Sequence, residues 1–443
     1  MRYALIAIAL YAMAGSGCNR QSDFDAIFNN PLLYSKTVYQ LNTVVMGNNF
    51  SPIVASRNYT YANIAAYQVV AGGYPDKYES LGGQLNGLKM TPGPEKGKPV
   101  DVEFAALLAF CKLGEAVTFP AGSMKDYVDS LKKLATDHGM PTDMFNNSIA
   151  YADTVSALIM NWSKGDHYLQ TRGASEYTVM DSPGRWVPTP PAYSAAAEPH
   201  WREIRPMVLD SFSMFPAPLP YVFNIKDKNS DYYKQVMDIK NAGDSLTPEQ
   251  AHIADFWDDN PFKLNVSGHL MFGTKKFSPP GHWMSIAGIA AEKAHADFPT
   301  TVTAFTITAI ALFDAFIQCW DAKYQFNTIR PETVINKYID PNWRPHLQTP
   351  PFPEYTCGHS TASASAAEAL TSVFGDNFSY TDSTELEFGI PNRSFKSFRD
   401  AALENNWARF YGGIHFHHSC LVSTDLGSKV GDLIVHRLKM KKA

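Results

Sequence analysis

The chain has few of the residues that staple small or metal-bound folds. It holds five cysteines in 443 residues. Cys111, Cys319, Cys357 and Cys420 form no C-x-x-C pair, which argues against structural zinc, and nothing in their spacing assigns a disulfide. There is no basic excess either. Lysine and arginine number 38 against 43 acidic residues, for a net charge of -5 and a pI near 6.2, so nothing points to nucleic acid. A nucleotide-binding loop, an internal repeat and a sustained period-two strand pattern are all missing. Past the N-terminus, only the stretch around Phe298–Trp320 approaches the ~18 charge-free residues of a membrane span. That stretch holds Thr300, Thr301, Thr303, Thr306, Thr308 and Asp314, and reads as a buried core helix.

What is present suits a large helical body. The chain is 45% hydrophobic and 13% aromatic, ample for a core. Apolar residues recur at three and four over 51–70, 102–117, 123–138 and 145–162. Further helices are expected over 230–242, 247–258, 283–294, 298–324, 359–374, 394–409 and 416–438, with Thr247-Pro248-Glu249-Gln250 a strong start signal. The fold class is all-α, two packed helical bundles with the candidate site in the second. Residues 171–225 are rich in proline, but Trp186 and Trp201 argue that they pack on the body instead of forming a linker. The expected divisions are 1–18, 19–225 including that segment, and 226–443. Residues 1–18 start with Arg2, run apolar through Leu10 and end in small residues before Cys18. They read as a signal peptide of a lipoprotein lipidated at Cys18, giving a periplasmic or outer-membrane-anchored protein, with ordinary secretion as the alternative.

Three stretches carry the chemistry: Lys323–Pro331 (KYQFNTIRP), Phe352–Ser360 (FPEYTCGHS) and Arg409–Phe416 (RFYGGIHF). Together they supply one lysine, two arginines, two histidines and a Cys-Gly pair before a run of small residues. Alone, each is an ordinary surface or cap feature. Together they suit a small, multiply charged tetrahedral oxyanion, held by cations and by N–H groups at a helix start. One histidine can coordinate or attack the central atom and the other can move protons. Lys323 and Arg330, seven apart, are expected on one helix face, with Pro331 marking a break. Asp258-Asp259 offer a bidentate partner for Arg409, although a solvated helix end accounts for them as well. His417 and His418 read as bystanders, and His269, His282 and His295 as structural.

The order Lys-x6-Arg-Pro, x-Gly-His, Arg-x5-His resembles the vanadium-dependent haloperoxidases and the type 2 phosphatidic acid phosphatases, with Lys323, Arg330-Pro331, Gly358-His359, Arg409 and His415 in register. Trp320 and Phe352, three before Lys323 and five before Cys357, resemble the halide-lining aromatics of the haloperoxidase branch. The likeness spans about residues 250–440 and is strongest to bacterial members. It implies vanadate bound axially by His415, with Lys323, Arg330, Arg409 and the Gly358 N–H on its oxygens. It implies His359 as proton relay and Lys323 as polariser of hydrogen peroxide. A halide would leave as hypohalous acid and pass to an organic acceptor, with iodide favoured over bromide. Two departures stand out. Cys357 replaces the family's usual serine, and Ser419 stands where phosphatases carry Asp. The rivals are an exported acid phosphatase on the same pocket, and a non-catalytic lipoprotein that binds phosphate or vanadate.

Overall fold

The computed structural model describes residues 22–261, 263–267, 270–273 and 276–442. The leader reading of residues 1–18, the lipidation of Cys18 and the reading of His269 fall outside the described residues.

The N-terminal half holds helices α1 (Phe24–Phe28), α2 (Pro31–Gly47), α3 (Pro52–Gly73), α4 (Val102–Ala116), α5 (Lys125–Asp137), α6 (Thr142–Ser163) and α7 (Tyr168–Arg172). After the proline-rich segment come α8 (Asp231–Asp244), α9 (Pro248–Phe256), α10 (Pro279–Lys293), α11 (Phe298–Phe326), α12 (Pro331–Tyr338), α13 (Gly358–Phe374), α14 (Phe398–Tyr411) and α15 (His417–Arg437). The described strands form two antiparallel hairpins. One pairs β1 (Leu264–Ser267) with β2 (Leu270–Gly273), the other β3 (Tyr380–Asp382) with β4 (Arg393–Phe395). Sequence sets many of the helix starts. Asn30, Ser51, Asp101, Ser230, Asp297 and Ser397 each accept a first-turn N–H. Thr247 and Gln250 form the reciprocal capping box that their spacing announces.

The long helix α11 organises the molecule. It packs on α3 from the N-terminal half and on α13, α10 and α15 from the C-terminal half. One continuous apolar core runs from Phe28 to Met440. Although α11 is long and apolar enough to cross a membrane, its apolar window lies wholly inside the protein. Its polar residues are answered internally. Thr306 and Thr308 donate back to the carbonyls of Val302 and Ala304. The Asp314 carboxylate accepts N–H groups of Met207 and Val208 at 2.7 Å and of Leu209 at 3.0 Å. Burial still raises its pKa to about 6. Asp314 thus ties the proline-rich segment to the core, where Trp186 and Trp201 are fully buried.

One expectation is corrected here. Lys323 and Arg330 do not share a helix face. The left-handed Asn327 (φ 49°) follows α11, and Arg330 caps α12 with Pro331 in its first turn. Asparagine tolerates that conformation and proline fits a helix start, so the segment turns and starts again.

Candidate functional site

The three motifs converge at the N-terminus of α13. Lys323, in the last turn of α11, is fully buried. Its ammonium donates to the carbonyls of Pro353 (2.8 Å), Glu354 (3.1 Å) and Thr356. Those bonds engage its three hydrogens and shape the loop before α13. Burial, with Arg330 adding to it, lowers the lysine pKa to about 8. Arg330 donates through Nε to Phe352 O (2.8 Å) and through Nη1 to Ile414 O (2.8 Å), while its Nη2 has no hydrogen-bond partner among the described residues. Burial lowers its pKa to about 10. Arg409, in the last turn of α14, donates Nη1 to the carbonyls of Trp257 (2.6 Å) and Asp258 (3.3 Å), and its Nε is likewise without a partner. The carboxylates of Asp258 and Asp259 therefore do not clamp Arg409, nor are they solvated. Both are buried and engage Lys263 and His282 instead.

His415 follows the Gly412-Gly413 turn, where Gly413 takes φ 76° between α14 and α15. Its Nδ1 lies 3.0 Å from Glu354 Oε1, and its Nε2 lies 3.1 Å from Arg330 Nη1. A guanidinium can only donate, so Nε2 carries the lone pair and Nδ1 the proton. Glu354 also accepts from the Phe416 N–H (3.2 Å) and the Ser419 hydroxyl (3.0 Å). Sequence reasoning missed Glu354. The signal available was an acid inside the Phe352–Ser360 motif, three residues before Cys357.

His359, the second residue of α13, bonds to the Asp258 backbone, while its Nε2 has no partner. Burial of the ring, with the nearby Arg409 charge, holds its pKa well below the usual histidine range. His359 is therefore a neutral base. Lys323, Arg330, Cys357, Gly358, Arg409 and His415 are all buried, whereas His359 is partly exposed although its Nε2 is buried. Cys357 precedes the helix, and its N–H donates to Ser423 Oγ (2.7 Å). Burial opposes ionisation of its thiol. Contact with Cys420 and the adjacent His415 ring outweighs that and brings its pKa well below the ordinary thiol value, while burial and Cys357 push Cys420 up. Gly358 opens α13, where backbone N–H groups have no intrahelical partner, and a Cβ there would stand 3.3 Å from the Trp320 ring.

Trp320 and Phe352 form an aromatic wall, with ring centroids 5.0 Å apart. The Lys323 ammonium lies 4.9 Å from the Phe352 centroid and 5.6 Å from that of Trp320. Trp320 is fixed by its Nε1–H, which donates to Ala197 O (3.1 Å) in the proline-rich segment. His417 and His418 stack instead on Trp407 and Tyr221, each at 4.3 Å.

The arrangement leaves three cationic side chains buried, and Glu354, the carboxylate within the motifs, is already committed to His415. Unmet buried donors and unbalanced buried charge are costly. An anion with several oxygens resolves both, so the donor set fits a tetrahedral oxyanion.

Known proteins match this picture. A family profile described as the VCPO second helical-bundle domain matches residues 303–441. A crystal structure titled as the first bacterial vanadium-dependent iodoperoxidase is 42% identical, with a TM-score of 0.88, over 93% of this chain and 98% of that one. Holo- and apo-type bacterial vanadium-dependent chloroperoxidases align with TM-scores of 0.67 and 0.65 at 17% and 18% identity. They cover 89% and 88% of this chain and 93% and 94% of their own, and at that identity they speak to the fold alone. A search of curated proteins finds no match.

Proposed function

The chain belongs to the vanadium-dependent haloperoxidases, and from that membership we propose that it oxidises iodide in preference to bromide. It is an enzyme whose cofactor is vanadate, whose oxidant is hydrogen peroxide and whose substrate is a halide. The observation that carries the iodide reading is the 42% identity to a bacterial iodoperoxidase along almost the full length of both chains. Iodide is also the more easily oxidised of the two ions.

In this reading His415 Nε2 would hold vanadium, since Glu354 keeps the proton on Nδ1, and Arg330 Nη1 would give up its contact with that lone pair. Arg330 Nη2, Arg409 Nε and the Gly358 N–H would donate to the vanadate oxygens. Lys323 contributes charge more than donors, since three carbonyls already engage its hydrogens. Bound vanadate supplies Lewis-acid activation of hydrogen peroxide toward a halide. Overall, one halide, one peroxide and one proton give hypohalous acid and water. His359, neutral and with its Nε2 unpartnered, would take a proton from incoming peroxide at that nitrogen and return one as water leaves. Trp320 and Phe352 keep water from the halide side. Export with lipidation at Cys18 is part of the proposal and rests on residues 1–18 as a sequence.

The test is a substrate comparison. Purified protein loaded with vanadate is assayed with peroxide against iodide and bromide, and vanadate-free protein against a phosphate ester. Iodide oxidation should lead and ester hydrolysis should be negligible. A faster bromide rate would refute the preference, and ester turnover by the vanadate-free protein would favour the phosphatase rival.

A further inference from the structure

A second cluster lies apart from the oxyanion pocket. His282 of α10, which reads as structural in the sequence, is fully buried between acidic side chains. Its Nδ1 lies 3.0 and 3.1 Å from the two Asp259 oxygens and 3.9 Å from Glu385 Oε1. Its Nε2 lies 2.9 Å from Asp382 Oδ2. One ligand atom each from Asp259, His282 and Glu385 can be chosen so that all lie within 4.8 Å of one another. Asp382 is fixed separately, through an N–H bond from Thr384 (2.9 Å) to its other oxygen. Glu385 is the anomaly. It is 0% exposed, and neither carboxylate oxygen has a hydrogen-bond partner among the described residues. The nearest amine, Lys276 Nζ, is 3.9 Å away. Burial and the adjacent Asp259 raise its pKa to about 8. An unmet buried carboxylate facing another carboxylate is a costly arrangement unless something binds between them.

We propose that Asp259, His282 Nδ1 and Glu385 bind a divalent first-row transition cation of the Zn²⁺ or Mn²⁺ kind. A nitrogen with carboxylate oxygens suits such an ion, whereas Ca²⁺ takes six to eight oxygens. The imidazole is already set for the role. With Nδ1 on the cation, the Nε2–H donates to Asp382, the usual outer support of a metal-bound histidine. The ion draws Asp259 after α9, His282 in α10 and Glu385 in the 3₁₀ turn Thr384–Phe388 to one point. Its position also bears on the oxyanion pocket. Asp259 directly follows Trp257 and Asp258, whose carbonyls hold Arg409. A cation there steadies the backbone behind that arginine, while vanadate binds elsewhere.

The experiment uses the full chain. Chelator-dialysed protein is incubated with Zn²⁺, Mn²⁺ or Ca²⁺, and bound metal and Tm are measured. About one Zn²⁺ or Mn²⁺ per chain should bind and raise Tm, on the order of 3–5 °C at roughly a hundredfold excess over Kd. Ca²⁺ should leave Tm unchanged, and an equal response to Ca²⁺ would overturn the cation class. Glu385→Gln keeps the shape and removes the charge. If the site binds a cation, this variant loses the response. If the cluster is ion-free, with an imidazolium and a protonated Glu385, the variant is neutral or raises Tm, and the response of the parent chain, if any, persists in it. That outcome, or no binding by the parent chain, overturns the proposal. Should the variant fail to fold, the electron paramagnetic resonance spectrum of Mn²⁺ with the parent chain decides. Coupling to one imidazole nitrogen supports the site, and a spectrum of free aqueous ion overturns it.

Discussion

At the scale of single residues, His415 and His359 share a pocket and differ in what holds them. His415 is oriented by a carboxylate, whereas His359 has only a backbone bond and an unoccupied Nε2. His415→Ala should therefore lower vanadate affinity more than about 100-fold, and Glu354→Gln roughly 10–100-fold. His359→Ala should keep affinity near that of the parent chain and slow turnover about 10²–10⁴-fold. Vanadate titration of the three variants checks this, and equal affinity loss in both histidine variants would mean the roles are wrongly divided. Cys357 makes a second case. Its thiol touches His415 and Cys420 in a pocket built to receive peroxide, and its ionisation is favoured. Such a thiol is prone to oxidation, either to oxygen adducts or to a disulfide with its neighbour. Cys357→Ser should lose activity more slowly during peroxide preincubation. Intact mass read beside residual activity tests this, and the idea fails if Cys357 stays unoxidised while both forms inactivate alike. The cations and histidines of the site were legible because their spacing is itself a motif. Glu354 was not, because its partners His415 and Ser419 lie 61 and 65 residues away and meet it only after folding.

At the scale of elements, the site depends on how closely α13 and α15 approach. Gly427 of α15 faces the backbone of Thr361, where a Cβ would come within 2.2 Å of the carbonyl oxygen, and Gly431 meets the Ser365 carbonyl at 2.8 Å in the same sense. The helices can separate only by moving Ser419 and Ser423 away from Glu354 and Cys357. Gly427→Ala should cost about 1–3 kcal/mol of stability and reduce vanadate affinity, because it overpacks a contact that cannot give. Thermal unfolding and vanadate titration measure the two effects, and an unchanged Tm would show the interface to be softer than this packing implies. Helices were the legible part of the fold, since the three-four apolar period and the caps agree. Each expected helix is present with its ends moved by a few residues. Sequence reasoning passed over α1, α2, α7 and α12. In α12 a proline that reads as a break is the first turn of a new helix. The β3–β4 hairpin is too short to leave a period-two pattern.

At the scale of the whole molecule, an acidic chain encloses a cationic pocket, and that contrast is the core of the account. Net charge of -5 repels anions in general, so vanadate must be held by the local field of Lys323, Arg330 and Arg409 and by the donors around them. The continuous core and the buried α11 supply a rigid, low-dielectric frame in which those charges act strongly. A pocket selected by charge and tetrahedral shape cannot easily exclude phosphate. The most direct measurement is the rate of iodide oxidation by peroxide as vanadate is titrated into vanadate-free enzyme, with and without phosphate. The rate should rise from near zero to saturation at one vanadate per chain, and phosphate should shift the curve to higher vanadate without lowering its plateau. Full-rate oxidation in vanadate-free buffer would contradict the account.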